Sequence, residues 1–403
     1  MFQSNAVLFQ EAKSFMPELI GWRRYLHRQP ELSFCEHNTT KYITTQLQKF
    51  ERITILTGKN QIGTDTGVVG ILKNGEGPVI ALRADIDALP IAEEIASEYQ
   101  SVYKGIMHAC GHDAHTAMLL GAAALLSKSE NSFSGTVKFI FQPAEEDTDE
   151  HGKSGAPYLI EKGIFDDVDK AFALHVDPEN EPGTVRLHSG ASMASVDTFQ
   201  ANIYGSGGHG AYPHLGTDPV WMLSFVLHAI QGISSRKTSP LVPSVISVGE
   251  VKAGASTNVI PEKVFLQGTC RSYDAETRKK HEEELNRAFA IVESMGGSYD
   301  LTIEKGEPAL VNHTEAVEVF RRSITSLYPE MKILNEPYGL GGEDFGYIAE
   351  KVPAAMLFLG AGFEQKDGRG LHMPLFDIEE EVLPAGAALL AGAALSCFSN
   401  TTL

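Results

Sequence analysis

Positive charge is scarce in this sequence: 33 Lys and Arg stand against 52 Asp and Glu in 403 residues, a formal net charge of −19 at pH 7. Such an acidic surface repels phosphate backbones, so nucleic acid is excluded as a partner unless a local basic patch exists. Lys279-Lys280 and Arg321-Arg322 are only isolated doublets among acidic neighbours. Cys35, Cys110, Cys270 and Cys397 show no CxxC spacing, which argues against a disulfide framework and a thiol-based zinc knot. Gly and Pro, 38 and 19 residues, stay well below the share of about 25–30% that marks low complexity. The first residues hold Glu11, Lys13 and Glu18 and no basic stretch leading into an apolar run. No secretory leader is therefore expected, and a cytoplasmic location is. The uncharged stretch 382–398 is interrupted by Pro384 and rich in Ala and Gly. It barely reaches the ~17–25 residues of a membrane span and reads as a helix packed in a core, so no membrane is expected as a partner.

What is present is ordinary for a globular protein, with 43% apolar and 21% charged residues. The length suits two domains. Short apolar runs at 68–72, 79–86, 137–141 and 171–176 read as strands. A helical stretch rich in Ala and Leu, 115–126, separates the second from the third. Near-continuous apolar strands alternating with helices predict an α/β domain built on a mostly parallel sheet covered by helices. In such sheets ligands bind beyond the carboxyl ends of the strands. Further on, strands at 196–204, 244–252, 264–271 and 299–304 and helices at 219–234 and 275–295 predict a smaller α+β unit. The αβ pattern then resumes with a helix at 316–327 and a strand at 354–359. The expected boundaries are 1–186 and 304–403 for the catalytic domain, with 187–303 inserted as a ferredoxin-like unit.

Reactive side chains are densest in His108-Ala109-Cys110-Gly111-His112-Asp113-Ala114-His115. Asp113 suits a helix N-cap, which would put His115 in the first turn. The strand 137–141 runs into Gln142-Pro143-Ala144-Glu145-Glu146. Paired carboxylates there can divide the work, one on a metal and one on a proton, or form a solvated acidic turn. His175 sits near its own strand's carboxyl end, a place where a satisfied core histidine is also common. His372 lies in a loop bounded by Gly370 and Pro374. Together Cys110, His112, Glu146, His175 and His372 mix thiolate, imidazole and carboxylate, which suits Zn, Mn, Co or Ni better than Mg or Ca. They exceed what one tetrahedral ion needs and favour two divalent ions sharing a bridging ligand.

The ordered segments RADIDALP from Arg83, HACGHDAHT from His108, QPAEE from Gln142, ALHV from Ala173, GGHGAYPH from Gly207, STNVIPE from Ser256, GGEDF from Gly341 and LHMPLFD from Leu371 resemble one family over nearly the whole chain. It is the metal-dependent amidohydrolases that include aminoacylases, hippurate hydrolases, indole-acetyl-amino-acid hydrolases and related carboxypeptidases. The resemblance implies metal ligands at Cys110, His112, Glu146, His175 and His372. It implies Glu145 as the base that takes a proton from the attacking water and passes it to the departing amine. It also implies that His209 and Asn258 hold the oxyanion or the substrate carboxylate, with His209 reaching a partner subunit in a homodimer formed through the inserted, lid-like domain. Arg271 is a candidate for the substrate carboxylate, because a guanidinium binds carboxylates bidentately. A surface salt bridge is an equal reading for it.

The expected activity is hydrolysis of small-molecule N-acyl-amino acids. A dipeptidase or carboxypeptidase on the same site is the alternative; a Cys110 nucleophile or a non-catalytic metal module ranks lower. Gly205-Ser206-Gly207-Gly208-His209-Gly210 satisfies G-x-G-x-x-G, but no helix opens there, which excludes a dinucleotide fingerprint. Relatives commonly carry a Gly-rich run after the Glu pair, whereas Asp147, Asp149 and Glu150 make this segment acidic. Asp85 and Asp87 read either as partners of a ligand histidine or as caps of the turn before Pro90.

Overall fold

The computed structural model describes residues 5–128, 133–365 and 368–398. These separate into two compact units. One comprises the residues up to Gly190, Val311–Tyr338 and those from Asp344 onward; the other is Ala191–Leu310 with Gly339–Glu343.

The first unit carries an eight-stranded sheet. Its strands along the chain are β1 (Ile53–Thr57), β2 (Val68–Asn74), β3 (Val79–Asp85), β4 (Gly135–Gln142), β5 (Lys170–Asp177), β6 (Thr184–Arg186), β7 (Lys332–Leu334) and β8 (Ala354–Gly360). Their spatial order is β1-β2-β4-β3-β5-β8-β6-β7. The middle, β4-β3-β5-β8, is parallel. Antiparallel pairings join β1 to β2, β2 to β4 and β6 to β8. Near-complete burial of β3, β5 and β8 explains their unbroken apolar runs. The half-exposed strands β1 and β7 carry no such signal.

Helices His112–Lys128 and Leu383–Phe398 are buried on almost every side and pack on each other and on β3 and β5. Their small residues permit that approach: a Cβ on Gly386 would stand 1.9 Å from Met118 Sδ. The stretch Glu380–Phe398 is long and apolar enough to cross a membrane, yet most of it lies inside the unit, as a core helix does.

One sequence expectation fails locally. The first of these helices begins at His112, so Asp113 lies in its first turn instead of capping it. The Asp113 carboxylate has other partners. Helix Met16–Arg28 buries Leu19, Arg23, Leu26 and His27. Arg23 Nε meets Asp113 at 3.2 Å, while its other nitrogens meet Asp377 at 2.6 Å and Glu380 at 3.1 Å. His27 Nδ1 lies 2.8 Å from the same Asp113 oxygen, and its Nε2 lies 3.2 Å from Glu93. Removing the guanidinium would leave buried carboxylates uncompensated, a loss on the order of 3–5 kcal/mol.

The second unit holds a four-stranded antiparallel sheet in the order Ser244–Ala253, Lys263–Ser272, Ser195–Tyr204, Ser298–Lys305. Helices Pro219–Gly232 and Ala275–Ala290 complete the chain order βαββαβ, the split βαβ arrangement of ferredoxin-like units. Asp218 caps the first helix and Asp274 the second.

The His27 contacts carry a pH dependence. Burial alone would lower its pKa, but the bonds to Asp113 and Glu93 outweigh burial and raise it from 6.5 to about 9. The folded state therefore holds this proton more tightly than the unfolded chain. The resulting stability is full below about pH 6.5, falls as pH rises, and is gone above about 9. Thermal unfolding across this range should show a decline that His27→Gln flattens, by roughly 2–3 kcal/mol between the ends.

Candidate active site

The reactive residues converge beyond the carboxyl ends of the central parallel strands. Asp85 ends β3, Gln142 ends β4, and His175 stands near the end of β5. The Cys110 turn reaches this edge because Gly111 adopts φ 88°. A Cβ there would also meet Val176 Cγ2 at 2.3 Å, so both backbone conformation and space require glycine. His372 and Ala144 hold φ 60° and 49° without being glycine. Such left-handed residues persist only where surrounding contacts fix them. His372 N–H donates to the Ala109 carbonyl at 2.8 Å, tying the His372 loop to the Cys110 turn.

Cys110 Sγ is the centre of the arrangement. It lies 3.5 Å from His175 Nε2 and 3.3 Å from His372 Nε2. His372 Nε2 is in turn 3.4 Å from Glu146 Oε1, and His112 Nε2 is 3.7 Å from that oxygen. Two groups of ligand atoms result, Cys110-His112-His175 and Cys110-Glu146-His372, and both contain Cys110. Glu145 belongs to a further group with His112 and Glu146, its Oε2 3.9 Å from His112 Nε2.

Each imidazole of the first group turns Nε2 inward and uses Nδ1 elsewhere. His175 donates from Nδ1 to the Val176 carbonyl at 2.7 Å. His112 uses Nδ1 on Asp87 at 3.2 Å, the carboxylate–histidine relation that orients metal ligands. Asp87 thus has the orienting role, and its other oxygen accepts from Ser33 Oγ at 2.7 Å and Glu146 N–H at 3.0 Å. Asp85 serves a different histidine. It accepts from His115 Nδ1 at 2.6 Å, and His115 Nε2 accepts from Val176 N–H at 2.9 Å. Both nitrogens of His115 are therefore used, and it pins the β5 end beside His175.

The donor set fits two divalent ions. His112 Nε2 and Glu146 Oε1 are buried and have no hydrogen-bond partner among the described residues, a costly state that a cation would relieve. Burial, then Glu146, Glu145 and Asp85, push the Cys110 thiol well above its ordinary pKa. Burial alone would lower His112, but Asp85, Asp87 and Glu146 outweigh it and raise its pKa to about 10. Burial and then His115 hold His175 well below its usual value, so it is neutral. The site concentrates negative charge and holds protons where cations are needed.

The remaining sequence candidates lie in the second unit. His209 sits on Gly208–His209, paired antiparallel with Val259–Ile260, and Gly210 N–H donates to the Asn258 carbonyl at 2.8 Å. The structure therefore makes His209 and Asn258 neighbours, both exposed. Arg271, on Lys263–Ser272, gives Nη1 to the Leu340 carbonyl at 3.0 Å. The acidic segment after Glu146 is organised by Asp149, which accepts from His151 and Lys153 N–H and from the Tyr158 hydroxyl, leaving Asp147 and Glu150 exposed.

Sequence reasoning missed two supporting groups. Arg83 is buried and joins Asp85 at 2.6 Å, Gln142 at 3.0 Å and Asp344 at 2.7 Å. Glu36, buried, accepts the Ala144 N–H in the turn that carries Glu145. An arginine inside an otherwise apolar strand is a readable signal for the first; nothing local marks the second.

A family model described as peptidase family M20/M25/M40 matches residues 81–396. Thermostable carboxypeptidase 1 of Saccharolobus solfataricus is 38% identical over 405 residues, covering 98% of this chain and 99% of its own. N-acetyl-L-cysteine deacetylase of Bacillus subtilis is 39% identical over 371 residues, covering 91% and 85%. A solved dinuclear metal-binding peptidase of family M20 from Bacillus subtilis matches with a TM-score of 0.82 at 33% identity, over 96% of this chain and 99% of that one.

Metal held by Cys110 and His112 would have to displace their protons, so affinity for Zn²⁺ or Mn²⁺ should rise with pH, about tenfold or more per unit between pH 6 and 8. Competition with a chromophoric chelator measures this, and a pH-independent affinity would contradict it. Cys110→Ala should hold no more than one tightly bound ion per chain.

Proposed function

The chain belongs to peptidase family M20/M25/M40, and we propose that it hydrolyses the amide bond of N-acyl-amino acids with Glu145 as the proton carrier. The observation that supports this most is the place of Glu145: it stands beside two ligand groups that meet at Cys110 and is a member of neither. Divalent ions held there by Cys110, His112, Glu146, His175 and His372 would acidify a water and polarise the scissile carbonyl. Glu145 accepts the proton that this water loses as its oxygen bonds to the carbonyl carbon. It then delivers that proton to the nitrogen as the C–N bond breaks, giving a carboxylic acid and a free amino acid. The soft and borderline donors favour Zn, Mn, Co or Ni.

His209 and Asn258 are assigned to the oxyanion or substrate carboxylate, where placed donors are needed, and Arg271 to the carboxylate. We assign residues 187–303 to dimerisation and lid formation. Two features support a homodimer. The strand Ser244–Ala253 lies at a sheet edge, and Val220, Trp221 and Phe225 expose apolar surface on the helix Pro219–Gly232. The unpaired thiols suit the cytoplasm. The carboxypeptidase relative supports a second reading on the same site, cleavage of a peptide bond next to a terminal carboxylate. Cys110 as nucleophile is disfavoured, because burial and then the surrounding carboxylates suppress its thiolate.

Glu145→Gln should lower kcat by about 10²–10⁴-fold while metal content and KM stay near those of the parent. Acetyl-, benzoyl- and aminoacyl-amino acids assayed side by side separate the two substrate readings. Full activity in Glu145→Gln would overturn the mechanism.

A further inference from the structure

We propose that Glu36 is a positioning residue for Glu145, holding the left-handed turn from which that carboxylate projects. Glu36 is fully buried, and its oxygens are divided between two partners. Oε1 accepts the Ala144 N–H at 2.7 Å and Oε2 accepts the Thr66 hydroxyl at 2.8 Å. Ala144 is the residue with φ 49°, immediately before Glu145. On the other side, Glu146 N–H is held by Asp87 at 3.0 Å. The residue between these two anchored amides is Glu145. Its backbone is therefore fixed before and after by separate buried carboxylates, although its side chain remains partly accessible.

The position of Glu36 in its own element shows that the side chain is committed elsewhere. It occupies the N-cap of helix His37–Leu47, yet makes no capping bond. Glu31 takes that duty, accepting from Asn38 N–H at 3.2 Å and Thr39 N–H at 2.8 Å. The turn is also tied on its other side to Gly155. Gly155 N–H donates to the Ala144 carbonyl at 2.7 Å, and a Cβ on Gly155 would stand 1.8 Å from the Pro143 carbonyl oxygen. With Glu36 gone, the Ala144 amide is buried without an acceptor, and a non-glycine residue loses the contact that keeps it left-handed. Relaxation at Ala144 re-aims Glu145. Of the proposed metal ligands, Cys110, His112, His175 and His372 belong to other segments, and Glu146, in the same turn, keeps its own anchor in the Asp87 carboxylate.

This inference rests on Glu145 being the proton carrier. The test compares Glu36→Ala, Glu36→Gln and Glu145→Gln in the full chain. It reads metal per chain by elemental analysis, kcat and KM separately, and hydrogen–deuterium exchange of the peptide spanning 142–147. Glu36→Ala should keep its metal, keep KM within about twofold, and lose about 30–100-fold in kcat, the scale expected from displacing a reacting group by about 1 Å. Exchange at 142–147 should accelerate while that of 170–177 does not. Glu36→Gln should retain activity within about fivefold, because its amide oxygen still accepts from Ala144. An unchanged kcat in Glu36→Ala, a loss that tracks metal content, or equal losses in both Glu36 variants would overturn the proposal. Unimpaired turnover by Glu145→Gln would instead overturn the reading beneath it.

Discussion

Negative and proton-hungry groups packed out of water at one point constrain everything else in the first unit. Cys110, Glu145, Glu146, Asp85 and Asp87 cluster beyond the strand ends, and Arg83 is engaged by Asp85 and Asp344. Charge of one sign in a low dielectric is intolerable unless it is neutralised. Protons can do this, as the raised Cys110 and His112 pKa values express. Divalent ions would do it better and would turn the same charge to catalytic use. Because Cys110 belongs to both candidate ligand groups, its thiolate could serve each of them.

The fold meets this constraint by fixing backbone and second partners before ligands. Gly111 brings the Cys110 turn against Val176; His115 pins the Val176 amide; Asp87 orients His112 and holds the Glu146 amide. Arg23 then joins Asp113, next to His112 in sequence, to Asp377, which follows the His372 loop. Segments distant in the chain are thereby tied at positions adjoining the ligands, so ligand geometry is set by folding and not by metal alone.

Much of this was legible in the residues. Unbroken apolar runs announced the central strands because those strands are buried on both faces, and HACGHDAHT and the Glu pair announced the chemistry through density of donors. The division of roles among neighbours was not legible. His112 and His115 look alike in sequence, but only tertiary contacts show that Asp85 and Val176 consume both nitrogens of His115. Asp113 looked like a helix cap, yet a buried arginine ninety residues earlier claims it. Glu36 gave no local sign, since its partners lie far along the chain and its position mimics an ordinary cap. Edge strands β1 and β7 were silent because half-exposed backbone pairing needs no apolar run.

The central claim is that Cys110 bridges two ions. Crystals of the metal-loaded protein, with anomalous diffraction collected at the metal edge, test it directly. The account predicts two anomalous peaks per chain, both within bonding distance of Cys110 Sγ, one also near His112 and His175 and the other near Glu146 and His372. A single peak, or two peaks with Cys110 bound to neither, would contradict it.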